Sequence, residues 1–151
     1  MRFYLSLLLS SVIFVGCQDS NRASFIKREL SANDIDTTIK KLQKELPKYG
    51  LITTHTLDEG KYANLLHRPK KVVYFTNPKA STDLMKCDSA LALEVPYKIV
   101  VSTSYDGKTE VIYTNPEYWS LKYNIKDKNC LSIISKLSGI MSELSSSIIK
   151  K

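Results

Sequence analysis

Residues 97–114 read YKIVVSTSYDGKTEVIYT, and this stretch decides the fold. β-Branched and aromatic residues crowd both halves, which is the composition of a pleated, half-buried surface. Asp106-Gly107 lies between the halves, and both residue types tolerate the positive φ that tight hairpin turns demand. The pattern predicts two strands, Tyr97 to Tyr105 and Glu110 to Thr114, joined as a hairpin and closed by Asn115-Pro116. A hairpin makes antiparallel pairing, so the rest of the chain is read for what extends and what covers such a sheet.

Toward the C-terminus, Asn129 is the expected cap of an amphipathic helix with Ile134, Leu137, Met141, Leu144 and Ile148 on one face. The stripe is too short for a coiled coil, so it is predicted to pack on the sheet, with Ser132, Ser135, Ser138, Ser142 and Ser145 to Ser147 as its solvated side. Toward the N-terminus, Lys71 to Phe75 reads as a strand stopped by Asn77-Pro78. Residues 79–96 follow as an irregular insert with a short helix around Ala80 to Lys86. Leu51 to Leu57 is a strand, and 58–66 is one or two helical turns at most. Ile35, Ile39, Leu42, Leu46 and Tyr49 recur at helical spacing behind the start signal Ser31-Ala32-Asn33-Asp34. Pro47 weakens that helix and Gly50 ends it, while Phe25 to Leu30 supplies a first strand. The order is β-α-β-β-β-β-α, an α+β two-layer sandwich with a largely antiparallel sheet and its helices on one face.

The beginning of the chain is of another kind. Met1-Arg2 and the apolar run Phe3 to Val15 have the anatomy of a signal peptide, and the run is short of the roughly 20 residues that a spanning helix needs. It ends Phe14-Val15-Gly16-Cys17 before an abrupt polar turn, resembling a bacterial lipobox with Phe14 where an aliphatic residue is usual. Residues 1–16 are thus expected to be removed. Residues 17–24 form a lipidated cysteine with a short tether, and 25–151 form one domain. Multiple acyl chains on Cys17 would hold the chain on a membrane where one chain binds only marginally. Gln18, in place of the aspartate that retains some lipoproteins in the inner membrane, favours the outer membrane of an envelope, with the domain facing the periplasm.

A formal net charge of +7, which falls to +6 on loss of Arg2, is spread in pairs such as Lys40-Lys41 and Lys70-Lys71. A nucleic-acid reader concentrates charge on one face and interleaves aromatics, so no nucleic-acid partner is expected. The scattered lysines suit solubility and weak attraction to anionic headgroups.

Arg68-Pro69, VVYFTNP (72–78), STDLM (81–85), LALEVPYKIVV (91–101), YDGK (105–108) and IYTNPEYWSLKY (112–123) together resemble one family, the domain of unknown function 302. The likeness runs from about Asp34 to Ile125. It implies a β-α-β4-α sandwich similar to the TATA-binding-protein-like fold, and it implies no activity. Departures are Thr76 and Ser81 at family glycines, Glu94 at an aspartate, and Lys122-Tyr123 where Arg-His is usual.

Catalytic chemistry has no sequence signature here. His55 and His67 stand apart, no Cys-x-x-Cys occurs, and no nucleophile elbow, P-loop or dinucleotide fingerprint is present, so no metal or cofactor is expected. Once Cys17 is lipidated, Cys87 and Cys130 remain in an oxidising compartment. They are read either as a disulfide or as two separate buried thiols. Candidate binding residues gather around the irregular insert: Asn77, Pro78, Ser81, Thr82, Met85, Glu94 and Pro96, with Arg68, Tyr113 and Tyr118 alongside. The favoured reading is a non-catalytic envelope lipoprotein that binds a small ligand or a protein partner, a homodimer through strand or helix packing included. The alternative is an enzyme or thiol-redox accessory using the Asn77 region or the Cys87/Cys130 pair.

Overall fold

The computed structural model describes residues 25–59 and 69–151. The leader, Cys17, the tether, the 60–66 part of the ambiguous stretch, His67 and Arg68 lie outside the described residues. Five strands form one sheet: β1 (Ile26–Ser31), β2 (Ile52–Asp58), β3 (Lys70–Thr76), β4 (Tyr97–Thr103) and β5 (Thr109–Thr114). Their order is β1-β5-β4-β3-β2, and every neighbouring pair is antiparallel. The helices are α1 (Ile35–Glu45), α2 (Pro78–Cys87), α3 (Glu117–Lys122) and α4 (Lys128–Ile149), with 3-10 turns at Leu46–Tyr49 and Ser89–Glu94. This is an α+β two-layer arrangement.

Alternation along the strands sends one set of side chains to the helices. Val73, Phe75, Tyr97, Ile99, Val101, Val111 and Tyr113 join one buried cluster with Ile39, Leu42 and Leu46 from the α1 region and Ile134, Leu137, Met141, Leu144 and Ile148 from α4. Burying a side chain such as Phe75 is worth about 1.5–3 kcal/mol. The end of α4 is fastened to the β1–α1 corner: Asn33 Nδ2 donates to the Ile148 and Lys150 carbonyls (3.2 and 2.8 Å), and the Ala32 N–H to that of Ile149 (2.8 Å). These bonds occupy carbonyls that a helix end otherwise leaves unpaired.

Several local readings change. The cap of α4 is Asp127, whose carboxylate accepts from the Cys130 N–H (2.9 Å), and Asn129 lies inside the helix. Asn77 and Pro78 do not merely stop a strand; they open α2, with Asn77 as cap and Pro78 in the first turn, where its missing N–H costs nothing. The stretch read as an irregular insert is accordingly a ten-residue helix, Pro78–Cys87, followed by the 3-10 turn Ser89–Glu94. Asn115-Pro116 likewise leads into α3, an element with too few turns to show a period. In the hairpin only Gly107 takes a positive φ (+79°), and its N–H bonds the Ser104 carbonyl (3.2 Å), so the turn is longer than two residues. Ser145 is not on a solvated face but fully buried, and half-buried Ser138 donates to Asn115 Oδ1 (3.2 Å).

Candidate functional site

A groove of about 260 Å³ opens between α2, α4 and the turn that carries the chain from α1 into β2. Its making begins at Gly50, which adopts φ +66° to end the 3-10 turn and leaves its carbonyl facing Asn77. Asn77 then works in two directions. Its Oδ1 accepts from the Ala80 N–H (3.0 Å), capping α2, and its Nδ2 donates to the Gly50 carbonyl (3.1 Å). The amide therefore ties the α2 start to the α1–β2 turn and holds that end of the groove.

The floor is apolar: Leu51 and Leu137 are buried, and Ile133 and Ile140 are half-buried beside them. The rim is polar and mostly basic. Asp83 pairs with Lys79 (3.2 Å) and Lys86 (3.3 Å), and hydrogen bonds from these two ammoniums hold its carboxyl below the usual range. Lys136, exposed on α4, takes part in no ion pair among the described residues. At the far end a disulfide joins Cys87 to Cys130, with Cα atoms 5.9 Å apart, linking the last turn of α2 to the first turn of α4. Both walls are thus anchored to each other one helical turn from Asp83 and Ile133.

The other sequence candidates divide among separate places. Ser81 turns inward, away from the groove. Its hydroxyl meets Thr76 Oγ1 (3.0 Å) and the Tyr97 hydroxyl (3.4 Å). Burial pushes the Tyr97 phenol pKa up, opposed by the Ser81 bond, and its ring stacks on Trp119 with centroids 6.1 Å apart. This chain of contacts serves packing. Thr82 is exposed and returns its hydroxyl to the Pro78 carbonyl (2.8 Å), while Met85 is exposed on α2.

Glu94 belongs to a second cluster. Its Oε1 accepts from Lys122 Nζ and from the Tyr123 hydroxyl, both at 2.7 Å. Burial pushes this carboxyl up, but the two hydrogen bonds and the Lys122 charge outweigh it and leave the pKa below the ordinary glutamate value. Lys122 and Tyr123 thus brace the 3-10 turn against α3. Pro96 follows a cis peptide bond and is exposed. The adjoining cavity, lined by Glu94, Lys98 and Trp119 among others, is about 20 Å³, room for about one water molecule.

Tyr113 lies in a third place, an open polar cleft shared with Lys27, Asn115, Ser135, Ser138 and Ser142. Its hydroxyl donates to Glu29 Oε1 (3.4 Å), and burial with the Glu29 charge pushes its pKa up to about 12. Tyr118 packs on Phe25, ring centroids 4.5 Å apart. Among the described residues, Asn77 is the one sequence candidate that lines the groove. The lining residues missed were Tyr49, Leu51, Lys79, Ala80, Asp83, Ile133, Lys136, Leu137 and Ile140. Each reads locally as helix surface or core edge, and only the approach of α2 to α4 brings them together. Among the described residues, no group of three His, Cys, Asp or Glu side chains stands together as a metal site.

Comparison with known proteins agrees with the architecture. The family model described as domain of unknown function DUF302 matches residues 26–144. A crystal structure of an uncharacterized conserved DUF302 protein from Bacillus stearothermophilus is similar with a TM-score of 0.68 at 17% identity, covering 83% of this chain and 97% of that one. At that identity the likeness speaks for the fold alone. Among curated proteins none matches. With the family model spanning most of the chain, from β1 into α4, the protein belongs to the DUF302 family.

Proposed function

We propose that the chain is an envelope lipoprotein, anchored through Cys17, whose DUF302 domain binds a small ligand in the α2–α4 groove without transforming it. The observation that carries this reading is the groove itself, an apolar floor of Leu51 and Leu137 under a polar rim that includes Asn77 and Lys136. Ligand sites are concave, mostly apolar, and oriented by a few polar groups, and this groove has that constitution. Its walls are held at both ends, by the Asn77–Gly50 bond and by the Cys87–Cys130 bond, which favours a pre-formed site over one assembled on binding. The anchor rests on the leader sequence and on the short tether, at most about 25 Å long, which keeps the domain near the bilayer.

Native mass spectrometry of the chain isolated from its own cells tests both halves. A retained ligand mass, lost in Ala80→Trp where an indole fills the groove, is the expected result; identical ligand-free spectra for both proteins would end the binding reading. Palmitate labelling that persists in Cys17→Ala would end the anchor. The disulfide supports one second reading, a thiol-redox accessory. Its test is whether the Cys87–Cys130 bond exchanges with a dithiol while the fold is intact, and a bond reduced only on unfolding refutes it.

A further inference from the structure

We propose that the groove takes a single-chain anionic amphiphile, its alkyl chain along Leu51, Ile133, Leu137 and Ile140 and its carboxylate on Lys136. The inference rests on the groove being a ligand site and adds the class of ligand. Size is the first argument. At about 260 Å³ the groove falls below the roughly 300 Å³ at which sites for drug-sized ligands begin, so a slender chain fits better than a fused ring system.

Charge is the second. The groove lining holds two ammoniums, Lys79 and Lys136, against the single carboxylate of Asp83. Asp83 is already shared by Lys79 and by Lys86 outside the lining, and Lys136 has no ion-pair partner among the described residues. Its flexible four-carbon stem lets the ammonium reach over the apolar floor while the head stays in water. An anionic head supplies the ion-pair partner that Lys136 lacks, and a cationic one would be repelled by the rim.

The test uses residues 18–151, without leader or acyl chains. The domain is a complete folded unit in the Bacillus stearothermophilus relative, which this chain covers over 97% of its length. Calorimetric titration with octanoate, decanoate, decanol and decyltrimethylammonium, each below self-association, reads the two arguments separately. Affinity is expected to rise about fourfold per methylene from octanoate to decanoate. Decanoate should bind about fivefold more tightly than decanol, and that preference should vanish in Lys136→Gln and at ~1 M salt. Ala80→Trp should abolish all binding, and Ile140→Glu on the half-buried wall gives the same readout if the indole variant fails to fold. Equal affinity for decanoate and decanol overturns the anionic ligand but leaves the groove as a site. Binding that survives both groove-filling variants overturns the site as well. No binding by any chain overturns the amphiphile, and the native spectra then decide the groove independently.

Discussion

Removing the Cys87–Cys130 bond should lower the stability of the domain by about 4 kcal/mol. The two cysteines are 43 positions apart, and closing a loop of that length in the unfolded chain costs about 13 cal/mol/K in the chain-entropy treatment, or about 4 kcal/mol at 25 °C. With an unfolding entropy of about 2.1 cal/mol/K per residue over positions 25–151, this corresponds to a fall of roughly 15 °C in Tm. In urea, an m-value of about 1–3 kcal/mol/M turns the same loss into a midpoint shift of about 1.3–4 M. The assay is urea unfolding of Cys87→Ala/Cys130→Ala beside the oxidised parent, followed by tryptophan fluorescence from Trp119, which packs in the core. The m-value should rise, because the open chain exposes more surface when it unfolds. A loss below about 1 kcal/mol, or two titratable thiols in the unreduced parent domain lacking Cys17, would refute the reasoning. The consequence extends to the groove, since the same bond joins its two walls.

Ser81→Ala leaves the buried Tyr97 hydroxyl without the contact that Ser81 provides, and should cost about 1–3 kcal/mol in the same urea assay; a loss under 0.5 kcal/mol, to an order of magnitude, contradicts this. Gly50→Ala forces an L side chain into φ +66° with its Cβ 3.4 Å from Asn77 Nδ2, so a loss of about 1–2 kcal/mol is expected, and an unchanged melting curve counts against the turn geometry. Glu94 has its pKa lowered in the folded state, so its contribution is present above the unfolded glutamate value and is lost as pH falls through the folded one. Glu94→Gln should therefore flatten the acid limb of a stability-versus-pH curve, and parallel limbs for the two proteins would show that the carboxylate is not linked to folding.

The sandwich was legible in residues 97–114 and 134–148 because burial imposes a period on the chain, two in a strand and near 3.6 in a helix. Ile39, Leu42, Ile134, Leu137 and Met141 carry that period and are all buried. Caps were less legible: Asp127 and Asn129 are both good cap residues two positions apart, and only the backbone path selects Asp127. Asn-Pro at 77 and 115 was ambiguous for a related reason, since the same pair ends a strand and begins a helix, and here it does both.

The site was least legible of all. Asn77 was visible because an Asn before Pro has a local meaning, and it does line the groove. Ser81, Glu94 and Tyr113 carry the same kind of polar signal, yet one is spent on the core, one on an ion pair and one on a distant cleft. Local chemistry names the atoms a side chain has, not the direction in which its element turns them. What the sequence determined unaided is the order of the five strands and of the helices α1 and α4, with the apolar faces that pack, all of which are encoded within a few neighbouring residues. What only the tertiary structure decided is the groove, because Leu51, Ala80 and Ile140 are far apart along the chain and become neighbours only when α2 and α4 pack together and are joined through Cys87 and Cys130.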